Sequence, residues 1–195
     1  LDIKNIPWAG RQLWAPDAAF ANNTYYLYFP VKDKSDVFRI GVATSNQPEG
    51  PFTPEAQPIP GSYSIDPCVF RDEDGSHYMY FGGIWGGQLQ RWNNNRYDSS
   101  AKNRSPEQQA VLPRIAKLSP DMKGFAEPVR EIRIVDSTGK LFLESDNDKR
   151  FFEAAWMHKY KGTYYLSYST GTTHRVVYAT GDNPFGPFTY RGHIL

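Results

Sequence analysis

The strongest constraint on the fold is a pattern that occurs three times, in which an aromatic strand follows a Trp, Asp or Glu at a fixed distance. The strands read NNTYYLYF (22–29), GSHYMYFG (75–82) and KGTYYLSYS (161–169). The residues eleven positions ahead of Tyr25, His77 and Tyr164 are Trp14, Asp66 and Glu153. Repeated units that aim side chains at one central axis are typical of β-propellers. The sequence therefore predicts propeller blades, with two carboxylates at equivalent positions of neighbouring blades.

A second repeat has the form ATxxxPxGPFT and occurs at 43–53 and 179–189, with a weaker copy, AKLSPDMKGF, at 116–125. Each copy reads as a strand end, a Pro and Gly turn and the start of another strand. One unit then covers roughly 50 residues, the size of a blade, unless the turns are similar by chance. Because propellers have about four to eight blades, we expect residues 1–195 to form one catalytic domain without its first and last blades.

Composition excludes several classes of protein. The chain has 39% hydrophobic and 15% aromatic residues, a net charge of +1 and no long basic run. Disorder and nucleic-acid binding are therefore not expected, and no apolar stretch is long enough to span a membrane. The single cysteine, Cys68, cannot form an intrachain disulfide and reads as a small buried hydrophobic residue. The aromatic residues are therefore expected either to pack the hairpins or to stack on sugar rings.

Short Tyr, Phe and Val runs between Gly, Pro, Asn and Asp clusters predict an all-β fold. The predicted strands are 14–20, 24–30, 38–43, 65–70, 78–82, 150–157, 164–169 and 176–180. The polar, Asn-rich segment 86–113 breaks this pattern and predicts an inserted loop between two blades. Such a loop commonly covers or shapes a binding site, and Trp85 and Trp92 at its base are candidates for stacking on sugars. The alternative is a solvated loop whose tryptophans pack against the blades.

Three ordered motifs carry a family resemblance. WAPDAAFANNTYYLYF, SIDPCVFRDEDGSHYMYFGG and FFEAAWMHKYKGTYYLSYSTG resemble successive blades of glycoside hydrolase family 43. That family consists of five-bladed propeller enzymes that include β-xylosidases, α-L-arabinofuranosidases and arabinanases. The resemblance implies an inverting mechanism with three acidic residues: an Asp general base, an Asp that orients the acid and tunes its pKa, and a Glu general acid.

Matched to those motifs, Asp66 of IDP corresponds to the pKa-tuning aspartate and Glu153 of FFEAAW to the general acid. The neighbouring aromatic residues and a nearby carboxylate would both raise the pKa of Glu153. The competing interpretations are a turn aspartate and a glutamate on a surface strand. The resemblance places the general base on the blade before WAPD, outside this chain, because Asp2 lacks the surrounding motif.

The remaining candidate residues are expected to bind substrate. Trp14 is predicted to form an apolar wall, with Asp17 a polar or structural neighbour. Thr172, His174 and Arg175 follow the acid on the same blade, where they would hydrogen-bond sugar hydroxyls unless they are exposed turn residues. The full set of predicted substrate-binding residues is Trp14, Asp17, Ile65, Trp85, Trp156, Thr172, His174 and Arg175.

The predicted function is release of a terminal xylose or arabinose from arabinoxylan or its oligosaccharides, with a saccharide as the partner and no nucleic acid or membrane. No cofactor is required, although the resemblance allows Ca²⁺ or another cation in the central channel, held by residues outside this segment. The histidines show no metal-ligand spacing. A retaining fructosidase is one rival, but such enzymes carry Arg where this chain has Ile65. A non-catalytic carbohydrate-binding propeller is the other. Polysaccharide breakdown would favour a periplasmic or secreted protein.

Overall fold

The computed structural model describes residues 1–194, which form strands and short 3-10 helices and contain no α-helix. The first sheet contains β1 (Ala9–Arg11), β2 (Asp17–Ala21), β3 (Thr24–Asp33), β4 (Phe38–Ser45) and β5 (Thr53–Pro54). The second contains β6 (Cys68–Arg71), β7 (His77–Phe81), β10 (Arg114–Lys117) and β11 (Arg130–Glu131). The third contains β12 (Ile134–Val135), β13 (Phe151–Tyr160), β14 (Thr163–Thr170), β15 (Val176–Gly181) and β16 (Phe188–His193). The all-β prediction is confirmed.

Each sheet is built around an antiparallel meander. The orders are β2-β3-β4-β5, β6-β7-β10-β11 and β13-β14-β15-β16. Two strands lie outside these meanders: β1 pairs with β3, and β12 pairs with β16 in parallel. The first strands of the three meanders pack together, since β6 contacts both β2 and β13. Side chains from all three sheets therefore meet along these inner strands.

The predicted hairpins are present, but two inner strands begin later than predicted. The segments expected at 14–20 and 65–70 become β2 (Asp17–Ala21) and β6 (Cys68–Arg71). Ahead of β6, Ser64 and Asp66 have positive φ values of 65° and 54°. A left-handed residue interrupts regular β-pairing. With two such residues in close succession, the chain ahead of β6 forms an irregular segment instead of a strand.

The inserted segment 86–113 lies within the second sheet, between β7 and β10, and not between two sheets as predicted. It begins in the 3-10 helices Trp85–Gly87 and Leu89–Arg91, followed by a small hairpin, β8 (Trp92–Asn93) and β9 (Arg96–Tyr97). Trp92 is buried and stacks on Tyr63, with ring centroids 4.2 Å apart. The proposed sugar-stacking role of Trp92 is therefore wrong, because its ring packs inside the protein.

The aromatic residues are mainly core residues of the hairpins. Tyr28, Tyr63, Tyr80 and Tyr168 are among the largest fully buried side chains. Their hydroxyl groups donate to oxygens of other segments; the Tyr28 hydroxyl, for example, donates to the Met122 carbonyl at 2.9 Å. A buried tyrosine thus contributes apolar area and still satisfies its polar group. No helix in the described part of the chain is long and apolar enough to cross a membrane.

Candidate active site

The three residues of the repeated pattern occupy equivalent levels of their sheets. Five positions beyond Tyr25, His77 and Tyr164 lie Pro30, Gly82 and Ser169. Trp14 N–H donates to the Pro30 carbonyl at 3.0 Å, and Gly82 N–H donates to the carbonyl of Ile65, the residue before Asp66, at 2.7 Å. Glu153 pairs with Ser169. The sequence spacing therefore corresponds to a shared position relative to each hairpin.

Asp66 is joined directly to the strand that carries Glu153. The Oδ2 atom of Asp66 accepts a hydrogen bond of 3.1 Å from Ala154 N–H. Ala154 has φ +59° and lies in an irregularity of the β13–β14 ladder between Glu153 and Trp156. This irregularity turns the Ala154 N–H away from β14 and toward Asp66. Two acidic residues from neighbouring sheets thus meet beside one peptide.

Burial and charge repulsion change the protonation of this pair. Burial, together with the negative charge of Glu153, raises the pKa of Asp66 to about 6, against the opposing effect of the hydrogen bond from Ala154. Burial also raises the pKa of Glu153, while nearby His174 lowers it. The repulsion between two carboxylates is mutual, so the protons leave the pair in two steps. One proton is therefore retained to a higher pH than an isolated carboxyl group would retain it.

Asp17 occupies a different position, between the first two sheets. Its Oδ2 atom accepts a 2.6 Å hydrogen bond from Val69 N–H, and burial raises its pKa. In the same register of the next sheet, Cys68 Sγ accepts a 3.4 Å hydrogen bond from Met157 N–H. Burial raises the pKa of the Cys68 thiol to about 12. Both side chains therefore join adjacent inner strands, which favours the structural interpretation of Asp17.

Replacement of Asp17 tests this interpretation. Asp17→Ala is expected to lower the free energy of unfolding by about 1–3 kcal/mol, because Val69 N–H loses its partner in a partly buried position. Asp17→Asn keeps an oxygen acceptor and is expected to keep kcat near the wild-type value. Chemical denaturation and steady-state kinetics measure both quantities. A large loss of kcat in a stable Asp17→Asn protein would instead indicate a catalytic carboxylate.

A small cavity of about 220 Å³ lies beside Asp66. It is lined by Ala15, Pro16, Asp66, Pro67, Cys68, Ala154, Ala155 and Trp156. The Trp156 side chain is 53% exposed. Trp14 and Glu153 are not among these lining residues. Trp14 instead packs on Phe38, with ring centroids 4.6 Å apart, and lies against Gly86. The predicted apolar wall therefore belongs to the neighbouring region near Trp85.

Trp85 and His174 are linked through the residue before Glu153. Trp85 is 47% exposed and packs edge-on against Phe152 at 5.2 Å, and Phe152 packs edge-on against His174 at 4.6 Å. Thr172, His174 and Arg175 are exposed in the connection between β14 and β15. The structure thus brings His174 close to the acid. The sequence predicts only that Phe152 helps to desolvate Glu153, and not that its ring packs between Trp85 and His174.

Ile65 packs against the loop that carries Trp85. Its side chain is buried, and a Cβ atom added to Gly83 or Gly87 would lie 2.6 or 2.7 Å from it. Those glycines therefore allow the loop to lie directly on Ile65. A buried side chain cannot reach a sugar, so the predicted substrate contact of Ile65 is wrong, and its side chain supports the loop.

Comparison with known proteins identifies the family of this chain. The sequence profile described as glycosyl hydrolases family 43 matches residues 2–194. The chain belongs to this family. A family 43 β-xylosidase/α-arabinofuranosidase from a compost metagenome, solved with xylotriose in a calcium-free form, is 67% identical with a TM-score of 0.95 and is matched over 100% of this chain and 60% of its own.

Two further relatives are similar over nearly the same extent. A Bacteroides ovatus xylosidase/arabinosidase is 58% identical over 195 residues, 100% of this chain and 60% of its own length. A Xanthomonas citri GH43_1 enzyme solved with xylotriose is 53% identical, with a TM-score of 0.97, over 99% of this chain and 58% of its own. The chain thus spans about 60% of the length of these family 43 relatives.

The residues described here do not form a metal centre. Among residues 1–194, no three His, Cys, Asp or Glu side chains come together in a group that could hold a metal ion. The Asp66 carboxyl group accepts a hydrogen bond from Ala154 N–H. No chemical step below depends on a cation.

Proposed function

We propose that this chain forms part of the catalytic propeller of an inverting glycoside hydrolase that releases terminal xylose or arabinose from arabinoxylan or its oligosaccharides. The observation that supports the proposal is the hydrogen bond from Ala154 N–H to Asp66, which joins the Asp66 carboxyl group to the residue that follows Glu153. The pKa values of both carboxyl groups are raised. Pairs of acidic groups flanking a sugar are the usual catalysts of glycosidic bond cleavage.

In the proposed mechanism Glu153 is the general acid and protonates the departing oxygen. Asp66 orients Glu153 and repels its ionised form, so that Glu153 keeps its proton until the bond breaks. The hydrogen bond between Asp66 and Ala154 joins the segment ahead of β6 to β13. A general base outside this chain removes a proton from the attacking water. In inverting enzymes that base lies about 6.5–9.5 Å from the acid, which leaves room for the water.

The proposed substrate follows from the aromatic surface and from the relatives. Trp85 and Trp156 present exposed indole rings close to the acidic pair, and Trp14 lies against the loop that carries Trp85. Sugar rings pack their C–H faces on such surfaces. Relatives with 53–67% identity have been solved with xylose or xylotriose. In this proposal the complete domain is a five-bladed propeller, of which the three sheets are central blades. A saccharide is its partner.

The function is tested with the full-length polypeptide that carries these residues. It is assayed on p-nitrophenyl β-D-xylopyranoside, p-nitrophenyl α-L-arabinofuranoside and xylotriose, and the first-formed anomer is identified by proton NMR. We expect pentose release with inverted configuration. Retained configuration would overturn the inverting mechanism. Release of fructose from sucrose would favour the fructosidase alternative, and saccharide binding without turnover would favour a non-catalytic propeller.

A further inference from the structure

The loop that carries Trp85 is held by hydrogen bonds to the buried hydroxyl group of Ser64. Ser64 Oγ lies 3.0 Å from Gly83 N–H, 3.2 Å from the Gly83 carbonyl and 2.8 Å from the Gly87 carbonyl. Ile84 N–H donates to the carbonyl of Phe152, the residue before Glu153, at 3.0 Å. The loop is therefore fixed both to the segment that leads into Asp66 and to the strand that carries the acid.

A second anchor, Gln88, joins the same loop to the first sheet. Its Oε1 atom accepts a 2.9 Å hydrogen bond from Phe38 N–H, and its Nε2 group donates to the Asp36 carbonyl at 2.9 Å. Gln88 is only 5% exposed and has φ +65°, in the left-handed region. One side-chain amide thus satisfies a donor and an acceptor on the β3–β4 connection, about 50 residues away in sequence.

The hydrogen bonds of Gln88 connect the residues that contact two exposed tryptophans, Trp14 and Trp85. Phe38, whose N–H is held by Gln88, packs its ring against Trp14. Trp85 lies three residues before Gln88, and Gln88 N–H donates to the Trp85 carbonyl at 3.0 Å. A Cβ atom on Gly86 would lie 3.3 Å from the Trp14 indole, so this ring and the Trp85 loop are already in close contact. Gln88 therefore fixes the position of the Trp85 loop relative to the first sheet.

We propose that Gln88 is a positioning residue that fixes the separation of Trp14 and Trp85 and thereby favours a six-membered over a five-membered pentose ring. This inference rests on the proposed glycosidase function. A pyranose chair presents a broader apolar face to aromatic side chains than a furanose ring, which is smaller and puckered. Small displacements of positioning groups reduce rates strongly. Loss of the anchor should therefore reduce cleavage of the pyranoside more than that of the furanoside.

The experiment uses Gln88→Asn and Gln88→Gly in the full-length polypeptide. Asn keeps the amide and accepts a left-handed backbone, but its side chain is one methylene too short; Gly removes the amide. The matched control is Asn95→Gly. Asn95 also has positive φ, and its amide accepts from the Tyr63 hydroxyl at 2.7 Å and donates to the Val129 carbonyl at 3.0 Å.

The measured quantity is the ratio of kcat/KM for p-nitrophenyl β-D-xylopyranoside to that for p-nitrophenyl α-L-arabinofuranoside, together with Tm. We expect both Gln88 variants to lower this ratio at least about fivefold, mainly through KM for the xyloside. Asn95→Gly should lower Tm and leave the ratio unchanged. An unchanged ratio in active Gln88 variants would overturn the positioning role alone. A wild-type protein that cleaves neither glycoside would overturn the proposed function and this inference together.

Discussion

Glu153→Gln is expected to lower kcat on xylotriose by about 10²–10⁴-fold and to have a much smaller effect on aryl glycosides with acidic leaving groups. An alcohol leaving group needs a proton as the glycosidic bond breaks, whereas a nitrophenolate departs without one. The amide has nearly the same shape as the carboxyl group and cannot donate that proton. A large loss of kcat on xylotriose with a small loss on aryl glycosides therefore identifies protonation of the leaving group as the missing step.

The measurement is a series of aryl xylosides of increasing leaving-group pKa, compared with xylotriose, at fixed pH. A steeper dependence of kcat on leaving-group pKa in Glu153→Gln than in the wild type is the expected result. Glu49→Gln, at an exposed turn position, is the control for loss of a glutamate. Equal losses across the whole series would show that Glu153 is not the general acid.

The parts of the fold that could be predicted from sequence are those in which local pattern and tertiary structure agree. The runs 24–30 and 164–169 are rich in aromatic residues and follow Asn or Gly turns, which identifies them as strands. Only the end of β10 was predicted, from the weaker turn copy at 116–125, because the insertion separates this strand from its partner β7. The parallel pairing of β12 with β16 was also not predicted, because two residues give no periodic signal.

The acidic pair was found from the sequence because a fixed distance to the hairpin becomes a fixed position on the inner edge of a sheet. The surrounding anchors were not found. Ser64 and Gln88 act through a left-handed backbone and through bonds to residues distant in the sequence. Nothing in the letters SYSIDP or GGQLQ indicates that geometry. Ile65 was misplaced for a related reason, since burial beneath a glycine loop depends on the tertiary fold.

Asp66→Asn is expected to reduce activity while making the folded protein more stable above pH 6. Asn retains an oxygen that can accept the Ala154 N–H, and it tolerates the positive φ at this position. In the proposed mechanism it removes the charge that repels ionised Glu153, so we expect the pKa of Glu153 to fall. The basic limb of the pH profile should move downward by about 1 pH unit. If the basic limb does not move, Asp66 does not raise the pKa of Glu153.

The gain in stability follows from the direction of the Asp66 pKa shift. Burial raises the pKa from the unfolded value of 3.8 to about 6, so between these values the native state holds the proton more tightly. The free energy of unfolding of the wild type therefore decreases as pH rises from about 4 to about 6 and stays lower above. Asn does not ionise and avoids this loss of stability, which amounts to at most about 3 kcal/mol for the rise in the Asp66 pKa from 3.8 to about 6.

Urea denaturation of both proteins at pH 4 and pH 8 measures the difference in the free energy of unfolding. We expect similar stability at pH 4 and a more stable variant at pH 8. A variant that is less stable at pH 8 would show that the Asp66 carboxylate stabilises the native fold, contrary to the unfavourable burial inferred here.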